Sequence, residues 1–334
     1  MSRRPAALLF ALLSLVNASA AEVIPPVVQA PSASGVIRLW GNAALLPVVA
    51  RWQSSFQKIS PTARIEPHLT GSDVAMSALA TGAADLALIG REPTAVEVKA
   101  FEWIYRWQPT RIEVLTGSLA TPGRSPALVV FVHRDNPLAG LTLAQLDALF
   151  GAERLRGAPA QLATWGQLGL GGEWAARPIH LLAPDTESGT GRFFRAAALG
   201  DSRKLHWDAL REFSDTPGPR PAHDAAQKIL AALAADPFGL AVASLPAAAD
   251  GLAVKPIALD GVAATRETVA ARAYPLARAV VALVNRAPGQ PLDPLLREFL
   301  RHALGAEAQR EAALAGGCFP LPADLVREQL KKLE

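Results

Sequence analysis

The chain has 334 residues, of which 50% are hydrophobic, so it can form one large domain or two ordinary domains with apolar cores. Its net charge of +3 is spread along the chain, and no block of Lys and Arg marks a nucleic-acid-binding protein. Cys318 is the single cysteine, which excludes a disulfide framework and a CxxC redox site. We expect Cys318 to be a packed small residue.

Residues 1–20 have the pattern of a cleavable secretory signal peptide. Arg3 and Arg4 form a basic start, an apolar stretch covers 6–16, and Ala18-Ser19-Ala20 is a small-residue cleavage site. Residues 21–34, rich in Pro, Ala and Val, read as a linker. No later stretch is long and apolar enough to cross a bilayer. The mature protein is therefore expected to be exported, most simply to a bacterial periplasm.

The first part of the chain after the linker alternates strands, turns and helices. The predicted strands are Gly35 to Trp40, Ala63 to Pro67 and Asp85 to Ile89, followed by turns at 41–44, 70–73 and 90–93. Pro47 fits only the first turn of a helix, so the first helix should start near Ala43 or Ala44, with free amides beside Asn42. This order predicts an open α/β sheet with ligands at the carboxyl ends of the strands.

The later elements extend the same α/β pattern. The further predicted strands are Ala127 to His133, Pro178 to Leu182, Leu240 to Ser244, Val254 to Ala258 and Ala279 to Asn285. Helices are predicted over 142–150, 222–235, 293–304 and 306–315, with a last amphipathic helix after Pro322. Trp103, Tyr105 and Trp107 alternate, which predicts one face of a strand with its rings in the core.

The segment from Pro184 to Phe194 is the main candidate for ligand binding. Ser188 is a good N-cap, Gly189 lets a backbone amide approach a ligand, and Thr190 adds a hydroxyl. The start of a helix offers unpaired N–H groups and the positive end of the helix dipole, so it suits an anion. The alternative is an ordinary capped helix without a ligand.

Seven short patterns, taken in order, resemble the periplasmic phosphate-binding protein of the phosphate ABC transporter, a type II periplasmic solute-binding protein. They are the Gly41 turn with Pro47 and Trp52, Thr70-Gly71-Ser72, Asp85 to Arg91, Ser188-Gly189-Thr190 with Phe194, Phe238 to Val242, Tyr274 to Arg278, and Gln309 ahead of Gly316-Gly317. Each pattern is weak alone, and their joint order is specific.

The resemblance implies a two-lobed fold of the α/β class, in which each lobe is an open mixed sheet flanked by helices and the ligand cleft lies between the lobes. One lobe would comprise 35–123 and 275–334. The other, 124–274, would be inserted into the first. Closure around the ligand would be a hinge motion.

The resemblance also implies a ligand site, which this sequence keeps only in part. Ser72, Ser188, Gly189 and Thr190 stand at matching positions, whereas three family partners are replaced by Ala43, Gly90 and Pro184. Pro184 stands where the family has its arginine. The expected ligand-binding residues are Asn42, Ala43, Ala44, Gly71, Ser72, Asp73, Gly90, Arg91, Ser188, Gly189, Thr190 and Arg192.

Two arginines are candidates to replace the missing cation. Arg91 follows the third strand and Arg192 follows Thr190. Asp73 and Asp185 would repel an anion unless they pair with these arginines or face away. Losing the carboxylate or hydroxyl at position 90 removes a reason to prefer phosphate over sulfate-like anions.

The leading hypothesis is an extracytoplasmic solute-binding protein, expected to be a monomer, that captures phosphate or a similar oxyanion for an ABC transporter permease in the inner membrane. The alternative is the same fold with altered or lost anion binding, acting as an envelope sensor or assembly protein. An enzyme using Ser188 as nucleophile is disfavoured, because position 186 is Thr and a hydrolase elbow needs G-x-S-x-G. No cofactor, metal or nucleic acid is expected.

Overall fold

The computed structural model describes residues 35–217, 224–245 and 251–334. The predicted signal peptide and linker lie outside these residues, as do the first residues of the helix predicted over 222–235. Among the described residues, no helix has the length and apolarity needed to span a membrane.

The strands within the described ranges belong to two separate sheets. In chain order they are β1 Gly35–Gly41, β2 Ala63–His68, β3 Leu86–Ile89, β4 Thr110–Thr116, β5 Leu128–His133, β6 Gly140–Leu141, β7 His180–Pro184, β8 Leu210–Phe213, β9 Gly239–Ser244, β10 Val254–Leu259 and β11 Ala279–Val284. The first sheet has the order β2-β1-β3-β11-β4, and the second has the order β6-β10-β5-β9-β7-β8.

Helices cover both sheets. In chain order they are α1 Leu46–Ile59, α2 Ser72–Ala80, α3 Ala95–Tyr105, α4 Leu143–Phe150, α5 Gly189–Ala198, α6 Ala225–Ala234, α7 Arg266–Ala270, α8 Pro294–Leu304, α9 Ala306–Leu314 and α10 Ala323–Lys331. A short 3₁₀ turn, Ala43–Leu45, precedes α1. The predicted start of the first helix near Ala43 is therefore correct.

Each sheet is packed on both faces, which explains why its central strands are apolar throughout. Trp52, Phe56 and Phe299 pack on one face of the first sheet, and α2 and α3 cover the other face. Strands β5 and β11 are buried along their whole length, as a strand covered on both faces must be. Cys318 is buried, and burial raises the pKa of its thiol to about 11, so this residue is a packed small side chain.

Strand directions decide which loops meet. Strands β1, β2 and β3 are parallel, so their carboxyl ends lie at one edge of the first sheet. Strand β11 runs antiparallel to β3, with Val281 opposite Ile89. The amino end of β11 therefore lies at the same edge. This edge carries the loops that contain most of the predicted ligand residues.

Two chain segments connect the sheets, and they lie side by side. The Gly117 amide donates to the Arg278 carbonyl at 2.8 Å, and the Leu128 amide donates to the Leu276 carbonyl at 3.1 Å. The second sheet's strands all fall between these two segments in sequence. This arrangement is consistent with the lobe boundaries expected from the sequence, which remain a prediction.

The predicted strand around Trp103 is wrong. Trp103 and Tyr105 lie in α3, and the Trp103 side chain is 72% exposed. The helix begins because Thr94 and Glu97 form a capping box, in which each side chain accepts from the other residue's backbone amide. The capping box at Thr94 was therefore a better guide to the secondary structure here than the alternation of three aromatic residues.

Candidate functional site

The loops after β1 and β2 are joined by hydrogen bonds. The Asn42 side-chain oxygen accepts from the Ala44 amide at 2.8 Å, and its side-chain nitrogen donates to Ser72 Oγ at 3.4 Å. The Gly71 amide donates to the Gly41 carbonyl at 3.0 Å. No side chain caps α2, which starts at Ser72, so its first-turn amides have no side-chain partner at this edge.

The start of α5 comes from the second sheet and is capped by its own serine. Ser188 Oγ accepts from the Gly191 amide at 3.0 Å and donates to the Asp185 carbonyl at 2.6 Å. The predicted N-cap is therefore correct. The Asp185 carboxylate accepts from the Glu187 amide and from Ser214 Oγ, so loop groups already bind it.

Gly189 allows the two halves of the molecule to touch. A Cβ at this position would lie 2.3 Å from the Glu92 carbonyl oxygen and 2.9 Å from Arg91 Cδ. Only glycine permits this approach, because real Cβ contacts do not occur below about 3 Å. The helix start predicted to bind an anion thus faces the loop that follows β3.

Arg91 lies beside this contact, and two carboxylates bind it. Its guanidinium pairs with Asp73 and, at 2.6 Å, with Glu97. Burial opposes the charge on Arg91, but the bonds to Glu97 and Asp73 outweigh burial and raise the pKa of Arg91. Of the two alternatives left open for Asp73, pairing with an arginine or facing away, the structure has the pairing. Because two carboxylates share its charge, Arg91 is not a free cation.

The three positions that depart from the expected ligand set have different surroundings. A Cβ on Gly90 would lie 1.8 Å from the Gly123 carbonyl oxygen, so the backbone leaves no room for a side chain there. Pro184 ends β7 and is buried, and Ala43 is exposed in the 3₁₀ turn. Ala44 lies next to the same glycine, since a Cβ built on Gly123 would be 2.9 Å from the Cβ of Ala44.

Arg192 faces a different space from the Asn42–Ser72 contact. It lines a cavity of about 570 Å³ together with Glu92, Arg111 and Arg272. Burial, followed by the nearby charge of Arg195, lowers the pKa of Arg192, and its Nη1 atom has no hydrogen-bond partner. Among the predicted site residues, Arg192 therefore belongs to the neighbouring cavity.

The sequence analysis missed a buried cation at this edge, Arg278. It directly precedes β11, is 2% exposed, and donates from Nη1 to Thr190 Oγ1 at 3.3 Å. Its guanidinium carbon lies 5.2 Å from the centre of the Phe193 ring. The Nε and Nη2 atoms are buried without a partner. The motif Tyr274 to Arg278 was visible in the sequence, and an arginine next to a fully apolar strand was the available signal.

Burial shows how unusual this cation is. Desolvation is the largest cause that lowers the pKa of Arg278, to about 10, which still leaves the guanidinium protonated at neutral pH. The edge of the first sheet thus combines amides, hydroxyls and a charged group with free N–H donors. Such a set of donors suits an anion.

A family model described as the PBP superfamily domain matches residues 28–307. The chain belongs to the PBP superfamily. Over 339 aligned residues it is 33% identical to the phosphate-binding protein PstS of Pseudomonas aeruginosa strain PAO1, covering 100% of this chain and 99% of that protein. PstS of strain UCBPP-PA14 gives the same values. These matches confirm the family resemblance that the sequence patterns indicated.

Solved structures of the superfamily share the fold at low sequence identity. The crystal structure of PstS from Borrelia burgdorferi aligns with a TM-score of 0.53 and 13% identity, covering 86% of this chain and 100% of that chain. An ABC-type phosphate transport receptor from Vibrio cholerae aligns with a TM-score of 0.52 and 17% identity at the same coverage. Both confirm the predicted α/β fold class with two helix-flanked sheets.

Proposed function

We propose that the chain is an extracytoplasmic solute-binding protein that captures phosphate or a similar oxyanion for an ABC importer. The observation that carries this proposal is the meeting of three loops of one sheet with the start of α5 from the other. Asn42 contacts Ser72, Asp73 pairs with Arg91, and Arg91 touches the backbone at Gly189. The relatives named PstS, with which the chain aligns over its full length, support phosphate as the ligand.

Capture would depend on donors that are already in place. The first-turn amides of α2 and α5 and the positive ends of both helices favour an anion, and hydroxyls such as Ser72 and Thr190 add further donors. The two halves would close on the ligand by a hinge at the paired connecting segments. The close approach at Gly189 supports this proposal, because a closed arrangement needs such a contact.

Delivery would require a membrane partner and no chemistry. We propose an inner-membrane ABC permease as the partner, the periplasm as the location, and a monomer as the working form. The names of the relatives, a phosphate-binding protein and a phosphate transport receptor, support this role for the chain.

Titration calorimetry tests the proposal. Protein stripped of ligand by unfolding and refolding should bind inorganic phosphate at a single site, and sulfate should compete because Gly90 carries no acceptor for a protonated oxyanion. A chain that binds none of phosphate, sulfate, molybdate or small organic anions would contradict the proposal. If the protein binds phosphate and strongly rejects sulfate, an acceptor other than residue 90 must accept a hydrogen bond from the protonated oxyanion.

A second candidate function is an envelope sensor or assembly protein whose anion site has changed or been lost. The side-chain-free backbone at Gly90, the buried Pro184 and the exposed Ala43 favour it. Thermal unfolding separates the two roles. A ligand bound only by the folded state raises the melting temperature, by an amount that grows with ligand concentration, and a lapsed site shows no shift.

A further inference from the structure

The expected arginine of the binding site is absent, because Pro184 occupies its position at the end of β7. Arg278 enters the same region from the other sheet. Since β11 is antiparallel to β3, the residue before β11 emerges where β3 ends. Its Nη1 atom reaches Thr190 in the first turn of α5, 88 positions away in sequence.

No carboxylate neutralises Arg278 within the described part of the chain. The carboxylate with the largest effect on its pKa is Glu92, and both Glu92 oxygens accept from Arg111, at 2.7 and 3.2 Å. The other charged neighbour, Arg91, has the same sign as Arg278 and binds its own carboxylates. The positive charge of Arg278 is thus available.

The hydrogen bonds of Arg278 are also incomplete. Thr190 accepts one N–H, and the Phe193 ring covers one side of the guanidinium. Nε and Nη2 have no acceptor although the residue is 2% exposed. A buried charge is unfavourable unless it is paired and hydrogen-bonded. These donors therefore need an acceptor that bears negative charge.

We propose that Arg278 is the cation that binds the oxyanion, in place of the arginine lost at Pro184. Its Nε and Nη2 hydrogens donate to oxygens of the ligand. Thr190 Oγ1 accepts from Arg278 Nη1, which leaves the threonine proton free to donate to the same ligand. The ligand is a tetrahedral oxyanion such as phosphate or sulfate, and the assignment rests on the proposed function of the cleft.

This assignment also links binding to closure. Arg278 precedes a strand of the first sheet, and Thr190 belongs to a helix packed on the second sheet. A ligand held by both groups favours the arrangement in which the two halves touch, because only that arrangement supplies both sets of donors.

The test compares phosphate binding by the full chain and three variants. Arg278→Met keeps the volume and removes the charge, and should weaken phosphate binding by about 100-fold or more, since at least two charge-assisted hydrogen bonds are lost. Arg278→Lys keeps the charge without the planar pair of donors and should lie between the two. Arg64→Met, at a 72% exposed side chain at the opposite end of the first sheet, is the matched control and should bind like the unmodified chain.

A spectroscopic measurement on the unmodified chain does not depend on how the variants fold. The Nε–H resonance of Arg278, assigned in the unmodified chain by through-bond correlations along its side chain, should shift on addition of inorganic phosphate. If the unmodified chain binds phosphate while Arg278→Met binds equally well, or while the Nε–H resonance stays fixed, the assignment of Arg278 is wrong and the proposed function stands. If the unmodified chain binds neither phosphate nor sulfate, both are wrong.

Discussion

Arg91 and Arg278 both lie near the start of α5, and their surroundings differ. Arg91 is bound by Asp73 and Glu97. Arg278 is almost fully buried, touches one hydroxyl, and has two nitrogens without a hydrogen-bond partner. Closeness to a loop motif therefore does not make an arginine available to a ligand. Whether its positive charge is available depends on the carboxylates around it.

The largest expected effect concerns the backbone under this site. Gly90→Asp, which places a carboxylate after the third strand, should destabilise the fold by about 3 kcal/mol, because its Cβ would overlap the Gly123 carbonyl oxygen. Thermal or denaturant unfolding measures this effect. Gly71→Ala is the matched control for stability, since its Cβ would meet only Val74 at 4.0 Å. A folded Gly90→Asp protein of normal stability would show that the backbone around Gly123 leaves room for a side chain at position 90.

Closure should fail next. Gly189→Ala adds a methyl group 2.3 Å from the Glu92 carbonyl oxygen, so the two halves cannot approach as they do here. We expect roughly 10- to 100-fold weaker phosphate binding, equal to about 1.4–2.7 kcal/mol, with unbound stability unchanged or raised by the better helix former. Calorimetry and solution scattering with phosphate measure affinity and compaction. Ala196→Ser, exposed on the same helix, should behave normally; compaction of Gly189→Ala would refute the idea.

Arg91 should contribute less to phosphate binding than Arg278. Arg91→Met should weaken phosphate binding by about fivefold or less, because it leaves Asp73 and Glu97 unneutralised near the anion and the Asp73 pair is exposed. Asp73→Asn in the same background should recover part of the loss. Calorimetry on the four members of this cycle measures the coupling. If Arg91→Met lost as much affinity for phosphate as Arg278→Met, the two arginines would contribute equally, and pairing with carboxylates would not explain their difference.

The smallest expected effect lies away from the site. His302 is 8% exposed and bonds Ser55 Oγ at 2.9 Å, and burial lowers its pKa although Glu307 and Glu311 oppose this. A lowered pKa means that the unfolded chain binds the proton more readily. The stability contribution is therefore complete above about pH 6.5 and is lost as pH falls.

Melting temperatures measured from pH 8 to pH 5 check this expectation. The unmodified chain should lose more stability over this range than His302→Gln, and both should bind phosphate alike at neutral pH. Equal pH profiles would show that His302 is not the titrating group. Unequal phosphate binding would show that this face of the first sheet is coupled to the site.

The sequence predicted the local parts of the site well, because they depend on short-range chemistry. The N-cap at Ser188, the helix start near Ala43 and the apolar central strands follow from capping rules and hydrophobic pattern. The α3 helix was missed because its capping box at Thr94 was overlooked in favour of three alternating rings.

What the tertiary structure decided is which groups face one another. From the sequence, Arg91 and Arg192 were the candidate cations, and Arg278 was visible only as the end of a motif, since nothing local says which arginine meets a carboxylate. The antiparallel pairing of β11 with β3 brings Arg278 to Thr190, and the close backbone contact at Gly123 removes any side chain from position 90. Capping and periodicity act over a few residues, whereas pairing of charges across 88 positions exists only once the chain has folded.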